Sequence, residues 1–227
     1  MTTHAERTAV STAMEAHELE EAGVPGIYEE PAAADWLPWL QTPAITAVVG
    51  GMAAVAGIAG GIAGAGHGPV TAFAYAVLCA SLVVLSAIDL KTMLLPNIIV
   101  GPLNLLIPVA GLLGYASKEY SPGQVLTALA CAAGCVAIMW IFTFATGGFG
   151  DGDVKLIGVL GFVLGLQGPA AAGLGALIGP MLLGAVVALP LIFSGRGGRT
   201  PIPFGPFMAA GTMIVLFFPG LPTLWLQ

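Results

Sequence analysis

The sequence predicts an all-α, polytopic membrane protein with about seven transmembrane helices. Three observations carry that prediction. Hydrophobic residues make up 57% of the 227 positions and charged residues only 8%. Mean hydropathy is +0.96. Apolar runs of about span length recur from residue 43 onward, divided by short Gly-, Pro- and charge-bearing breaks.

The chain opens on an acidic stretch, residues 1–42, read as a cytoplasmic tail that is mobile and solvated. Eight of the twelve acidic residues fall in its first 35 positions. No basic segment leads into a short apolar one, so the stretch does not read as a cleaved signal peptide. Trp36 and Trp39, in DWLPWL, stand where an interfacial aromatic anchor is expected. Residues 43–227 then form the transmembrane domain, with apolar segments at roughly 43–66, 69–90, 98–116, 124–146, 153–166, 169–193 and 204–224. The fifth is short: its length corresponds to about 21 Å of helix against a hydrocarbon core of about 30 Å. Its start, near Asp153, is therefore expected below the membrane surface. Glycines spaced by four (Gly57 and Gly61, Gly60 and Gly64, Gly161 and Gly165, Gly175 and Gly179) predict close helix packing within one chain.

Charge excludes some functions and orients the chain. Six Lys and Arg residues in all exclude nucleic acid as a partner. Seven crossings put Arg7, Lys91, Lys155, Arg196 and Arg199 on one side and Lys118 on the other. The positive-inside rule makes the first side cytoplasmic. The three cysteines, Cys79, Cys131 and Cys135, lie inside apolar runs without a CxxC, so neither a zinc site nor a disulfide framework is suggested. No metal and no cofactor is expected. His4, His17 and His67 read as surface or loop residues.

The same orientation places Asp89, Asp151 and Asp153 at the cytoplasmic edge. Intramembrane carboxylates are costly and mark function. Taken singly, each has a plain structural reading: Asp153 as the cap of a helix after a Gly-rich turn, and Asp89 as an interfacial residue paired with Lys91. Together they suggest a dyad. Two carboxylates sharing a proton can activate water with one and polarise a carbonyl with the other.

The residues around them resemble a known family. GGFGDGDVKL (147–156) resembles the GGxGxGDxKL signature of type IV prepilin peptidases, the membrane-embedded GxGD aspartic proteases. AIDLKTMLLPN (87–97) is similar to the family's first motif, and TPIPFGPFMAAG (200–211) to its PFGPxxxxG segment. The resemblance covers roughly residues 70–215. It implies an aspartic endopeptidase that removes the basic leader of type IV prepilins, or prepilin-like proteins, at the cytoplasmic face of the bacterial inner membrane. Asp89 and Asp153 take the catalytic positions. Gly150, Gly152, Lys155, Pro96, Asn97 and the Pro203–Pro206 turn take supporting ones. Asp151 fills a variable position and completes a decoy GxGD at Gly148–Asp151. Presenilin-like and signal-peptide-peptidase-like enzymes match less well: Ile88 stands where they have Tyr, and their Pro-Ala-Leu element is missing.

Nothing in residues 1–68 resembles the CxxC-bearing portion of the family's methylating members, so a short, peptidase-only form without N-methylation is expected. The implied partners are a prepilin substrate, with Gly before the cut and an apolar helix after it, and the bilayer. Glycines 147, 148, 150 and 152 would let an extended peptide approach. From the dipole of each residue's own helix, Asp153 is expected as base and Asp89 as acid. The acidic tail would attract the substrate's basic leader. The competing class is a proton-coupled transporter or channel using the same carboxylates, although no carboxylate lies mid-segment and no inverted repeat is visible. The sequence fixes neither the pilin substrate nor the oligomeric state.

Overall fold

The computed structural model describes residues 33–93, 95–146, 150–191 and 203–224; residues 1–32, most of the expected tail, lie outside them. Each predicted apolar segment is mainly helical over its described residues. In chain order the helices are α1 (Ala33–Leu40), α2 (Pro43–Ala65), α3 (Pro69–Thr92), α4 (Asn97–Ala116), α5 (Pro122–Thr146) and α6 (Asp151–Gly165). After these come α7 (Pro169–Ala172), a π-helical stretch (Gly173–Ile178), α8 (Gly179–Leu191), α9 (Gly205–Phe217) and α10 (Leu221–Leu224). Five helices are long and apolar enough to cross a membrane, α7 through α8 counting as one, and α9 is a shorter apolar helix. The chain is an all-α, multi-pass membrane protein.

Several boundaries differ from the sequence-based expectation, each for a local reason. Ala33–Leu40, inside the expected tail, is a helix that touches α2 and α3. The sixth segment is not uniform: it widens into π geometry just before Pro180, whose ring denies the preceding turn a normal hydrogen bond. The seventh breaks at Phe218–Gly220, where Pro219 ends α9.

The short fifth segment, α6, lies at the centre. Val154, Leu156, Ile157 and every residue from Val159 to Leu166 are buried. α4, α5, α7, the π stretch and α9 pack around it. The glycine pairs do what their spacing predicts. Gly60 and Gly64 leave no room for a Cβ against the α3 backbone at Tyr75 and Ala72, and Gly165 leaves none against Ala128 of α5. Gly211 of α9 likewise has no room for a Cβ against the Gly175 carbonyl and Pro180, whereas Gly179 is tight against the Leu174 carbonyl of its own segment. The outer faces are apolar: Val55, Ile58 and Ile62 of α2 and Ile141 and Phe144 of α5 are largely exposed, as suits a lipid-facing perimeter.

α3 begins under a cap supplied from far along the chain. Gly68, at φ +140°, turns the backbone into Pro69. The Glu119 carboxylate, from the loop after α4, accepts from Val70 N (3.0 Å), Thr71 N (2.9 Å) and Thr71 Oγ1 (2.6 Å). Two otherwise orphaned N–H groups of that helix end are thereby satisfied. A cavity of about 790 Å³ opens at this same end, lined by His67, Gln124, Gln167 and Pro219 among others. It lies at the opposite end of α3 from Asp89.

Candidate active site

Asp89 lies in the last turn of α3, only 3% exposed. The expected pairing with Lys91 is not formed. Residues two apart on a helix point to different faces, and Lys91 is exposed while Asp89 faces inward. Asp89 Oδ2 instead accepts from the backbone N–H of Gly205 at 2.7 Å. Gly205 opens α9, so the carboxylate caps a helix that starts 116 residues away. Just past Asp89 the chain turns at Met93, which takes a left-handed φ of 56° and donates its N–H to the Asp89 carbonyl.

Asp153 is not the cap itself. The helix starts two residues earlier, with Gly150 as its N-cap. Asp153, in the first turn, reaches back and accepts from Gly150 N at 3.2 Å through Oδ2. Its Oδ1 is buried and has no partner. Gly152, next to Asp153, packs on Leu95 just past the end of α3, and α6 contacts α9, whose first N–H holds Asp89, so the two carboxylates lie at the same end of the bundle. Asp151 is set apart: its side chain is 65% exposed and ion-pairs with Lys155 one turn on.

The supporting residues tie the two aspartate-bearing stretches together. Lys155 Nζ donates to Asn97 Oδ1 at 3.0 Å, joining the starts of α6 and α4. Pro96 is buried and is the N-cap of α4. Gly152 meets Leu95: a Cβ at 152 would stand 2.7 Å from Leu95 Cβ and 2.8 Å from its carbonyl oxygen. The sequence reading kept Gly152 clear for an incoming peptide. The chain itself fills that space, and the glycine serves internal packing. Gly147 and Gly148 lie outside the described residues. One participant, Leu95, was not singled out from sequence, and Gly205 was included only as part of the Pro203–Pro206 turn. The signal for Gly205 was the third motif; Leu95 carries none beyond its place next to Pro96.

Among the described residues no three His, Cys, Asp or Glu side chains gather as a metal site would require. The arrangement is a pair of inward-turned carboxylates at one end of a helical membrane bundle, each held by one backbone donor, with Asp153 Oδ1 enclosed and without a partner. That defines a class: multi-pass helical membrane proteins with two inward-turned aspartates at one end of the bundle.

Comparison with known proteins gives the family. The sequence profile of the type IV leader peptidase family matches residues 76–193, just over half of the chain. This chain belongs to that family. Among similar curated proteins, a prepilin leader peptidase/N-methyltransferase of Xanthomonas campestris pv. campestris is 38% identical over 152 residues, 64% of this chain and 50% of that protein. One of Bacillus subtilis is 32% identical over 179 residues, 78% of this chain and 65% of that protein. One of Burkholderia pseudomallei is 37% identical over 145 residues, covering 62% and 45%. The chain thus spans about half to two thirds of the length of these relatives. No solved structure matches it.

Proposed function

We propose that the chain is an aspartic endopeptidase that removes the leader peptide of a type IV prepilin or prepilin-like protein at the cytoplasmic face of the bacterial inner membrane. The observation that carries the reading is the pairing of Asp89 with Asp153. They stand 64 positions apart in sequence, yet Leu95, just past the α3 end that carries Asp89, packs on Gly152 next to Asp153, so both carboxylates lie at one end of the bundle. Burying two acids side by side is costly, and the cost is understandable where they share a proton and act on one water. The named activity of the relatives supports the same reaction class.

In this reading Asp89 and Asp153 touch the reacting atoms. Lys155, Asn97, Pro96, Gly150 and Gly152 hold the two stretches in register. The 227 residues carry out cleavage without N-methylation; their three cysteines sit in apolar helices and form no CxxC. The test is co-expression with a prepilin, followed by mass spectrometry of the pilin. The expected product lacks its leader and carries a free, unmethylated N-terminus. Asp89→Asn and Asp153→Asn should each reduce cleavage by at least about 100-fold. A chain that still shortens the pilin with either aspartate replaced ends the proposal. Proton-coupled transport without shortening would favour a transporter instead.

A further inference from the structure

Each aspartate has its own helix dipole, and α9 adds a third. Asp89 ends α3, where carbonyls disfavour negative charge. But the first N–H of α9 points straight at it, at 2.7 Å. The approach leaves nothing to spare: a Cβ on residue 205 would stand 2.9 Å from Asp89 Oδ2 and 3.2 Å from Asp89 Cβ. A backbone donor at a helix N-terminus serves an ionised acceptor better than a protonated one. Asp153 is served less well, with one longer bond to Oδ2 and none to the enclosed Oδ1. An ionised oxygen left without a donor is costly; a hydroxyl at that atom, waiting for a carbonyl acceptor, suits the site. No compensating charge comes from the neighbours. α2, α4 and α9, which pack on α3, carry no charged residue; α1, which also touches α3, carries only an acid, Asp35; and on α6 Asp151 and Lys155 are engaged with each other.

We propose that the Gly205 N–H holds Asp89 as the ionised base and leaves the shared proton on Asp153. The inference rests on the peptidase reading and reverses the assignment drawn from each aspartate's own helix. Asp89 takes a proton from water as the water oxygen bonds to the scissile carbonyl carbon. Asp153 gives its proton to the carbonyl oxygen, and a gem-diol forms. On collapse the C–N bond breaks, Asp89 passes its proton to the leaving nitrogen, and Asp153 recovers one from a diol hydroxyl. Water is consumed, and an acid and an amine are released. Both aspartates end as they began. Gly205 is a positioning residue: it touches Asp89, not the substrate.

The test uses the full chain in proteoliposomes and a synthetic peptide with a basic leader, Gly at the cut and an apolar helix after it. Glycolic acid placed at position 205 by nonsense suppression turns one amide into an ester, deleting the N–H and little else. Expected is a fall in kcat of about 10- to 100-fold, the size of one charge-assisted hydrogen bond, with KM unchanged. Were Asp89 the proton donor, losing this N–H would leave kcat unchanged or raise it; either result overturns the proposal, as does a change confined to KM. If the ester chain fails to fold, Gly205→Ala replaces it. Its Cβ forces the carboxylate away from the N–H, and full kcat there also overturns the proposal. Asp89→Asn and Asp153→Asn are run alongside. Cleavage by either sinks the two-carboxylate reading; both inactive with an unimpaired ester chain sinks only the assignment.

Discussion

Asp151 and Asp153 are two residues apart and chemically identical, yet their surroundings divide them. Asp151 lies in solvent against Lys155, where an exposed pair is worth about 0–1 kcal/mol. Asp153 is turned inward with an enclosed oxygen. Asp151→Asn should therefore keep cleavage within about 2-fold of the parent, whereas Asp153→Asn abolishes it, both read by gel shift of the pilin. Gly152 gives a second prediction at this scale. Gly152→Ala would push a methyl into Leu95, and overpacking of that kind costs about 1–3 kcal/mol. Thermal unfolding in detergent should show the loss. Leu95→Ala should not restore stability, because the atoms in the way are the Leu95 Cβ and carbonyl, which alanine retains. The decoy aspartate was separable in the sequence only through the Val-Lys-Leu that follows Asp153. The Gly152–Leu95 contact was not legible, since it joins backbone positions in two separate loops and leaves no residue-type signature.

Among the elements, the sequence was most informative where periodicity and breakers agree. Pro43, Pro69, Pro122 and Pro169 each stand at a helix start, and the glycine pairs mark faces that the structure buries. It was silent on the π stretch, whose irregularity comes from Pro180 and packing against α9 and not from any change in the apolar pattern. It was equally silent on the Glu119 cap, because helix and capping side chain are some 48 residues apart. That cap makes α3 sensitive to pH. Burial pushes the Glu119 carboxyl up, but hydrogen bonds from the Thr71 hydroxyl, the Thr71 and Val70 amides and Ser117 outweigh it and hold the group below its usual range. A carboxylate lowered on folding adds stability above its unfolded value of about 4.3, and that stability is lost as pH falls through the folded value. The melting temperature of the parent should drop as pH is lowered from about 6 to below 4. Glu119→Gln should start lower, by the equivalent of about 1 kcal/mol, and vary less over the same interval.

For the molecule as a whole, the short α6 is stable at its length because five neighbouring elements enclose it. The perimeter, not the centre, presents apolar side chains outward. This inverts the usual problem of a 15-residue apolar helix in lipid: α6 contributes its polar N-terminus to the site, and longer helices span around it. The end of the bundle bearing Asp89, Asp153 and Gly205 is then one face, and the end bearing Glu119 and the 790 Å³ cavity is the other. The positive-inside count expects the aspartate face in the cytoplasm, because Lys91 and Lys155 lie there and Lys118 lies opposite. Both Lys91 and Lys118 are exposed, so each can be replaced by cysteine in a chain whose half-buried Cys131 has been changed to alanine. Cys79 and Cys135 are buried and can stay. On spheroplasts, a membrane-impermeant maleimide should label Lys118→Cys and spare Lys91→Cys until the cells are lysed. The opposite pattern would put the carboxylate pair outside, where no basic leader awaits cleavage, and prepilin processing at the cytoplasmic face would no longer be tenable for this chain.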